Sequence, residues 1–138
     1  MRHMEPVSRV MTKGVETVQV GQPMSAARKL LSDRPFHHLP VMDGEKPVGM
    51  VSNSDIMRLV FNAGNIDARE MDAFLDHTFT LEDAMTRDLV SVQQKDHVRD
   101  AAAALATGDR HAVLVLDGEQ LAGIVTSTDL IQFLLEQY

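Results

Sequence analysis

Residues 15–20 alternate, with Val18 and Val20 apolar around Gln19, the pattern of a half-buried strand. After Gly21-Gln22-Pro23 the period changes: Met24, Ala27, Leu30 and Leu31 recur at helical spacing, with Pro23 at the first helical position. Two short apolar runs follow at residues 39–42 and 48–51, separated by Asp43-Gly44, a hairpin-turn signal. Ser52 closes the second run and opens a helix carrying Ile56, Leu59 and Val60. The order is strand, helix, strand, strand, helix. From Leu89 it begins again. Residues 89–92 predict a strand, Asp96 the N-cap of the next helix, Val98, Ala101 and Leu105 its apolar stripe, and Gly108 its stop. Apolar runs at 113–116 and 122–125 flank Asp117-Gly118, and Thr126 opens a helix with Leu130, Ile131 and Leu134. Between the two series, Gly64-Asn65 predicts a break, and Met71, Phe74 and Leu75 share one face of a short helix from about Asp67. This stretch is not Gly/Ser-rich, so a structured connector is expected.

The two series are one series written twice. Displaced by 74 positions, residues 7–60 lie over 81–134 without a gap. Met11-Thr12 falls on Met85-Thr86, Val18-Gln19 on Val92-Gln93, His37 on His111, Gly49 on Gly123 and Asp55 on Asp129. Two copies are too few for a solenoid, which needs three or more stacked units. The pattern predicts an α/β (α+β) fold of two pseudo-symmetric repeats, residues 1–60 and 81–138, joined by a helical connector at 61–80. One compact body with a cleft between its halves is expected.

Composition narrows the function. The chain has 138 residues, 44% of them hydrophobic and 4% aromatic, enough for one ordinary core built on aliphatic side chains. The net charge of −7 argues against nonspecific nucleic-acid binding, which needs Lys and Arg to neutralise phosphates. A small anionic ligand needs only a few local donors. With no cysteine, disulfides, thiolate metal sites and a Cys nucleophile are absent, as fits a reducing compartment. The first residues contain no signal-like apolar stretch, and the longest aliphatic run, 112–116, is far short of a membrane span. A cytoplasmic protein without membrane insertion is expected.

The strongest chemical signal is Gly49-Met-Val-Ser52-Asn-Ser-Asp55 with its echo Gly123-Ile-Val-Thr126-Ser-Thr-Asp129. Each sets a hydroxyl and a carboxylate at a strand-to-helix junction. One interpretation is a capping box. The other is a ligand site: helix N–H groups and the hydroxyl facing a phosphate, the Asp accepting from a ribose diol, and the Gly admitting a ligand to the backbone. Both remain open on the residues alone. A zinc site is not expected, because His37 and His38 are strand neighbours pointing to opposite faces and no His-x₃-His pair or Cys joins them. Asp43-Gly-Glu45 and Asp117-Gly-Glu119 could suggest cation binding, but their position between apolar runs favours turns. Without a Gly-x-Ser-x-Gly elbow, hydrolysis has little support.

These motifs, with His37-His-Leu-Pro-Val-Met-Asp43 and Met11-Thr12 upstream, resemble the CBS domain, the module named after cystathionine β-synthase. The resemblance covers both copies. It implies a pair packed through its sheets with two clefts, binding an adenosine-containing ligand (AMP, ADP or ATP, with S-adenosylmethionine an alternative) and regulating a partner. It also implies crossed sites. In one, Ser52 would hold phosphate and Asp55 the ribose, with Met50 against the base, Leu89 and Ser91 near it, and Arg110 and His111 near the phosphate. In the other, Thr126, Asp129 and Ile124 take those roles opposite Val15, Thr17, Phe36, His37 and His38. Pro40 matches the family's usual proline, but Leu114 stands there in the second copy and Ala112 replaces His38, so unequal clefts are implied. No cofactor is required and no catalysis is expected, since the chain reads as all module. The expected assembly is a homodimer through apolar surface at Met57, Phe61, Met71, Phe74 and Leu75, with an unidentified regulated protein as further partner. Two rival functions remain: an interaction module with empty clefts, and a nucleotide hydrolase.

Overall fold

The computed structural model describes residues 4–33 and 37–138. Its two compact units do not follow the repeat boundaries. One is continuous, residues 16–88; the other joins the segment up to Val15 to residues 89–138.

The continuous unit contains β1 (Val18–Gln19), α1 (Met24–Asp33), β2 (His38–Asp43), β3 (Lys46–Ser52), α2 (Asn53–Ala63), α3 (Met71–Thr78) and α4 (Leu81–Ala84). β1 pairs parallel with β2, and β2 antiparallel with β3. The hairpin turns at Gly44, whose φ of +64° is costly for any residue with a Cβ. Gln19 secures that turn. Its side-chain amide donates to the Gly44 carbonyl at 2.9 Å and accepts from the Gly44 N–H at 3.0 Å, so it behaves like one more strand residue. Val18, Leu39, Val41 and Val51 from the sheet meet Met24, Ala27 and Leu31 of α1 and Ile56 and Val60 of α2 in one core.

The connector and the first residues of the second copy complete that core. Leu75, Leu81 and Ala84 are buried in it, and Met71, Phe74 and Phe79 pack against it. Asp76 of α3 accepts from the Ser25 N–H at 2.8 Å and its hydroxyl at 2.7 Å, satisfying N-terminal groups of α1 that lack an intrahelical partner. Arg28 and Asp72 form an ion pair at 2.8 Å. The expected structured connector is present. However, Leu75 is fully buried in this unit's own core and cannot reach the expected interface, while Met71 and Phe74 are half-buried against that core.

The discontinuous unit contains a short 3₁₀ turn (Val7–Arg9), β4 (Ser91–Gln93), α5 (Val98–Leu105), β5 (Ala112–Asp117), β6 (Gln120–Thr126) and α6 (Ser127–Glu136). Its sheet repeats the same pairing, and Gln93 brackets Gly118 with two 3.0 Å bonds as Gln19 brackets Gly44. The core joins Val113, Val115 and Val125 to Ala101 and Leu105, and the first segment supplies Val7, fully buried. Backbone bonds fix that segment: Val7 N–H to the Asp96 carbonyl and Val98 N–H to the Glu5 carbonyl, both 2.7 Å. The cap of α5 is His97, not Asp96. Asp96 instead accepts from the Gln93 N–H at 2.8 Å, closing the turn after β4, and Asp100 accepts from the His97 N–H at 2.9 Å.

The strand expected over residues 15–20 contracts to β1, and that expected over 89–92 becomes β4 at 91–93. Among the described residues, no helix is long and apolar enough to cross a membrane.

Candidate functional site

Each unit presents one half-site at the junction of its last strand and the following helix. In the continuous unit, Ser52 is the N-cap of α2. Its hydroxyl accepts from the Asp55 N–H at 3.2 Å, and Asp55 Oδ2 accepts from the Ser52 N–H at 2.8 Å and from the Ser52 hydroxyl at 3.0 Å. The second Asp55 oxygen, Oδ1, accepts from Arg58 at 3.0 Å. His38, first residue of β2, lies across the ladder from Ser52, and exposed His37 precedes it. Thr17 is half-buried just before β1. Phe36 lies outside the described residues.

In the discontinuous unit, Thr126 caps α6 with the same reciprocal bonds, 3.2 Å from the Asp129 N–H to its hydroxyl and 2.8 Å from its own N–H to Asp129 Oδ2. The Ser127 N–H donates to the His111 carbonyl at 3.3 Å. Backbone donors at the start of α6 are therefore largely satisfied by protein, and a phosphate there would depend on the junction hydroxyls, whereas Arg110 and His111 are the phosphate ligands expected of the site built on Ser52. Arg110 is half-buried and His111 exposed. Beside them, the Thr107 hydroxyl, ahead of a backbone N–H and the Arg110 charge, holds the Asp109 carboxyl below its ordinary value. An anion is thus kept next to the two expected phosphate ligands. Ser91, exposed, starts β4 opposite Leu114; Leu89 and Val15 are half-buried.

The capping interpretation is geometrically realised in both copies. A cap uses only one carboxylate oxygen, so it does not exclude a ligand on the other.

The two glycines have a different role from the one expected. A Cβ on Gly49 would meet the Met85 sulfur and, at 2.7 Å, its Cγ; one on Gly123 would meet the Met11 sulfur and the Thr12 carbonyl oxygen, both at 2.8 Å. Gly is needed because a methionine crosses the strand there. The residue after that methionine then covers the sheet edge. Met50 N–H donates to Thr86 O at 3.0 Å and receives its N–H at 2.9 Å, and Ile124 and Thr12 exchange bonds of 3.1 and 2.8 Å. The main chains of Met50 and Ile124, expected beside a base, are thus already paired. The repetition of Met-Thr and Gly at fixed spacing was the signal that could have revealed this packing.

No group of three or more His, Asp or Glu placed to hold a metal occurs among the described residues. An open groove of about 600 Å³ runs along the stripe Ser54, Met57, Arg58 and Phe61 of α2 to Ile66. None of the expected ligand residues lines it.

The CBS domain model matches residues 7–62 and 81–136. An uncharacterised protein of Methanocaldococcus jannaschii is 30% identical over 137 residues, 94% of this chain and 32% of that protein. The chain spans about a third of the length of curated relatives it matches, 32% and 39% for two of them. In structure it is similar to CBSX2 in complex with AMP, with a TM-score of 0.78, 24% identity, and 96% of this chain and 98% of that one covered. It is similar also to the CBS domain pair of protein MJ0100 in complex with 5′-methylthioadenosine and S-adenosyl-L-methionine, with a TM-score of 0.78, 23% identity, and coverage of 98% and 99%. At such identities these two likenesses are of fold. The matched segments coincide with the two copies that carry the Ser/Thr-x-x-Asp junctions, and the chain belongs to the CBS domain family.

Proposed function

We propose that this chain is a regulatory module, not an enzyme, that binds an adenosine-containing nucleotide and passes its occupancy to a protein partner in the cytoplasm. The observation that carries this is the repeated junction carboxylate. Asp55 and Asp129 are half-buried and fixed by their caps through Oδ2, which leaves Oδ1, shared with Arg58 in the case of Asp55, as the oxygen that would accept from a ribose diol. Support comes from the AMP and S-adenosyl-L-methionine complexes of proteins with this fold. AMP, ADP or ATP is the proposed ligand, with S-adenosylmethionine the alternative. Which half-sites act together is carried over from the family resemblance: Asp129 with Val15, Thr17, His37 and His38, and Asp55 with Leu89, Ser91, Arg110 and His111.

Thermal denaturation with AMP, ADP, ATP and S-adenosylmethionine tests this. A ligand at about a hundred times its Kd should add roughly 2.7 kcal/mol, with Asp129→Asn and His37→Ala impairing one binding event and Asp55→Asn and His111→Ala the other. No shift with any adenosine compound would instead favour an interaction module, in which the completed caps are the whole role of these residues. We also propose a homodimer, on narrower grounds than the sequence suggested. Met57 and Phe61 are 58% and 84% exposed, and their counterparts Ile131 and Leu135 are 59% and 68% exposed. Sedimentation equilibrium should give a dimer that Phe61→Glu weakens; a native monomer at micromolar concentration would reject it.

A further inference from the structure

The two junction carboxylates are not equivalent, and we infer that Arg58 makes the difference, by occupying in the first copy the carboxylate oxygen that a ribose diol would need in the second. This deepens the adenosine reading and rests on it. Asp55 Oδ1 accepts from Arg58 at 3.0 Å while Oδ2 is held by the cap. Asp129 uses Oδ2 in the same cap, but the residue three further on is Gln132. Helix α6 itself carries no Lys or Arg. The chain therefore carries one carboxylate committed through both oxygens and one whose own helix supplies no cation to its outer oxygen.

The asymmetry has a defined size. The Asp55 side chain is 13% exposed and that of Arg58 is 61% exposed, so the ion pair is partly solvated and screened by salt. Exposed pairs of this kind are weak, which makes Arg58 a competitor that a ligand can displace rather than a block. The half-site at Asp129 is the tighter one for the sugar. The half-site at Asp55 fills later, at higher ligand concentration, and becomes more competitive as ionic strength rises.

Adenosine is the probe, because without a phosphate its affinity reports base and ribose contacts and not the attraction of an anion to Arg58. Calorimetry on the full chain should show that Arg58→Gln, in an Asp129→Asn background that leaves the first half-site to report, binds adenosine about twofold to fivefold more tightly. Gln132→Arg in an Asp55→Asn background should weaken binding by a similar factor. The gain from Arg58→Gln should shrink in 0.5 M salt, where the Debye length falls to a few ångströms. Unchanged or weaker binding in Arg58→Gln, with the native chain still binding adenosine, overturns the competitor role and leaves the ligand reading standing. Failure of the native chain to bind either adenosine or AMP sinks the ligand reading and this inference together.

Discussion

A methyl group on Gly123 would lie 2.8 Å from both the Met11 sulfur and the Thr12 carbonyl oxygen, whereas one on Gly49 would meet only the side chain of Met85. A thioether can swing aside, but a carbonyl oxygen held in a 3.1 Å bond from the Ile124 N–H cannot do so freely. Overfilling a packed site costs about 1–3 kcal/mol, so both Gly→Ala changes should destabilise, with Gly123→Ala the worse. Adding Met85→Ala to Gly49→Ala should recover part of the loss, a coupling that a double-mutant cycle in urea would show. Simple additivity would mean that the methionine is not what the glycine accommodates. At this scale the caps were legible in the sequence, because a capping box joins residues three apart. The reason for the glycines was not, since their partners Met85 and Met11 lie far away in the chain. Gln19 and Gln93 were hidden in the same way. Each reads as the polar member of an alternating strand, yet each brackets the turn of a hairpin it does not belong to.

Among the elements, α1 and α5 show how two copies of one helix diverge. Helix α5 is closed locally, with Asp100 on the His97 N–H. Helix α1 takes its closing carboxylate from Asp76 in the connector. Asp76→Ala should therefore cost about 1–2 kcal/mol, the range for losing a cap together with a bond to a charged group. It should also loosen α3, which hydrogen exchange would report as faster exchange over residues 71–78. Loss of stability with α3 protection intact would show that Leu75 alone anchors that helix. The sequence disclosed the apolar face Met71, Phe74 and Leu75 but not where it goes. Amphipathicity says that a face must be covered and leaves open whether a neighbouring chain or the element's own core covers it. Here the core of the continuous unit does.

For the molecule as a whole, the repeat is legible as a sequence, but the compact unit is not the repeat. Residues 81–86, which open the second copy, belong to the unit built on the first, and the opening segment of the first copy belongs to the other unit. A fragment cut at the repeat boundary, residues 1–62, would lack Leu81 and Ala84, both essentially buried. Each fully buried Leu contributes about 1.5–3 kcal/mol, a large part of the stability of so small a unit. A fragment of residues 16–88 retains every core member of the continuous unit. Circular dichroism should show cooperative unfolding for 16–88 and none for 1–62; the reverse would mean that the repeat is the folding unit after all.

The same exchange of segments sets an order of events as the chain is made. The continuous unit has all its parts once residue 88 has left the ribosome. The other must keep Val7 and its neighbours waiting until the turn at Asp96 and strand β6 exist to receive them. Domains form from the N-terminal side during synthesis, and distant contacts close slowly because the loop between them must be ordered first. The residues around Val7 are therefore made before either unit and secured only with the second. While they wait, they lack the core that later buries Val7, so a protease acting on chains stalled before β6 should cut there sooner than in the completed protein.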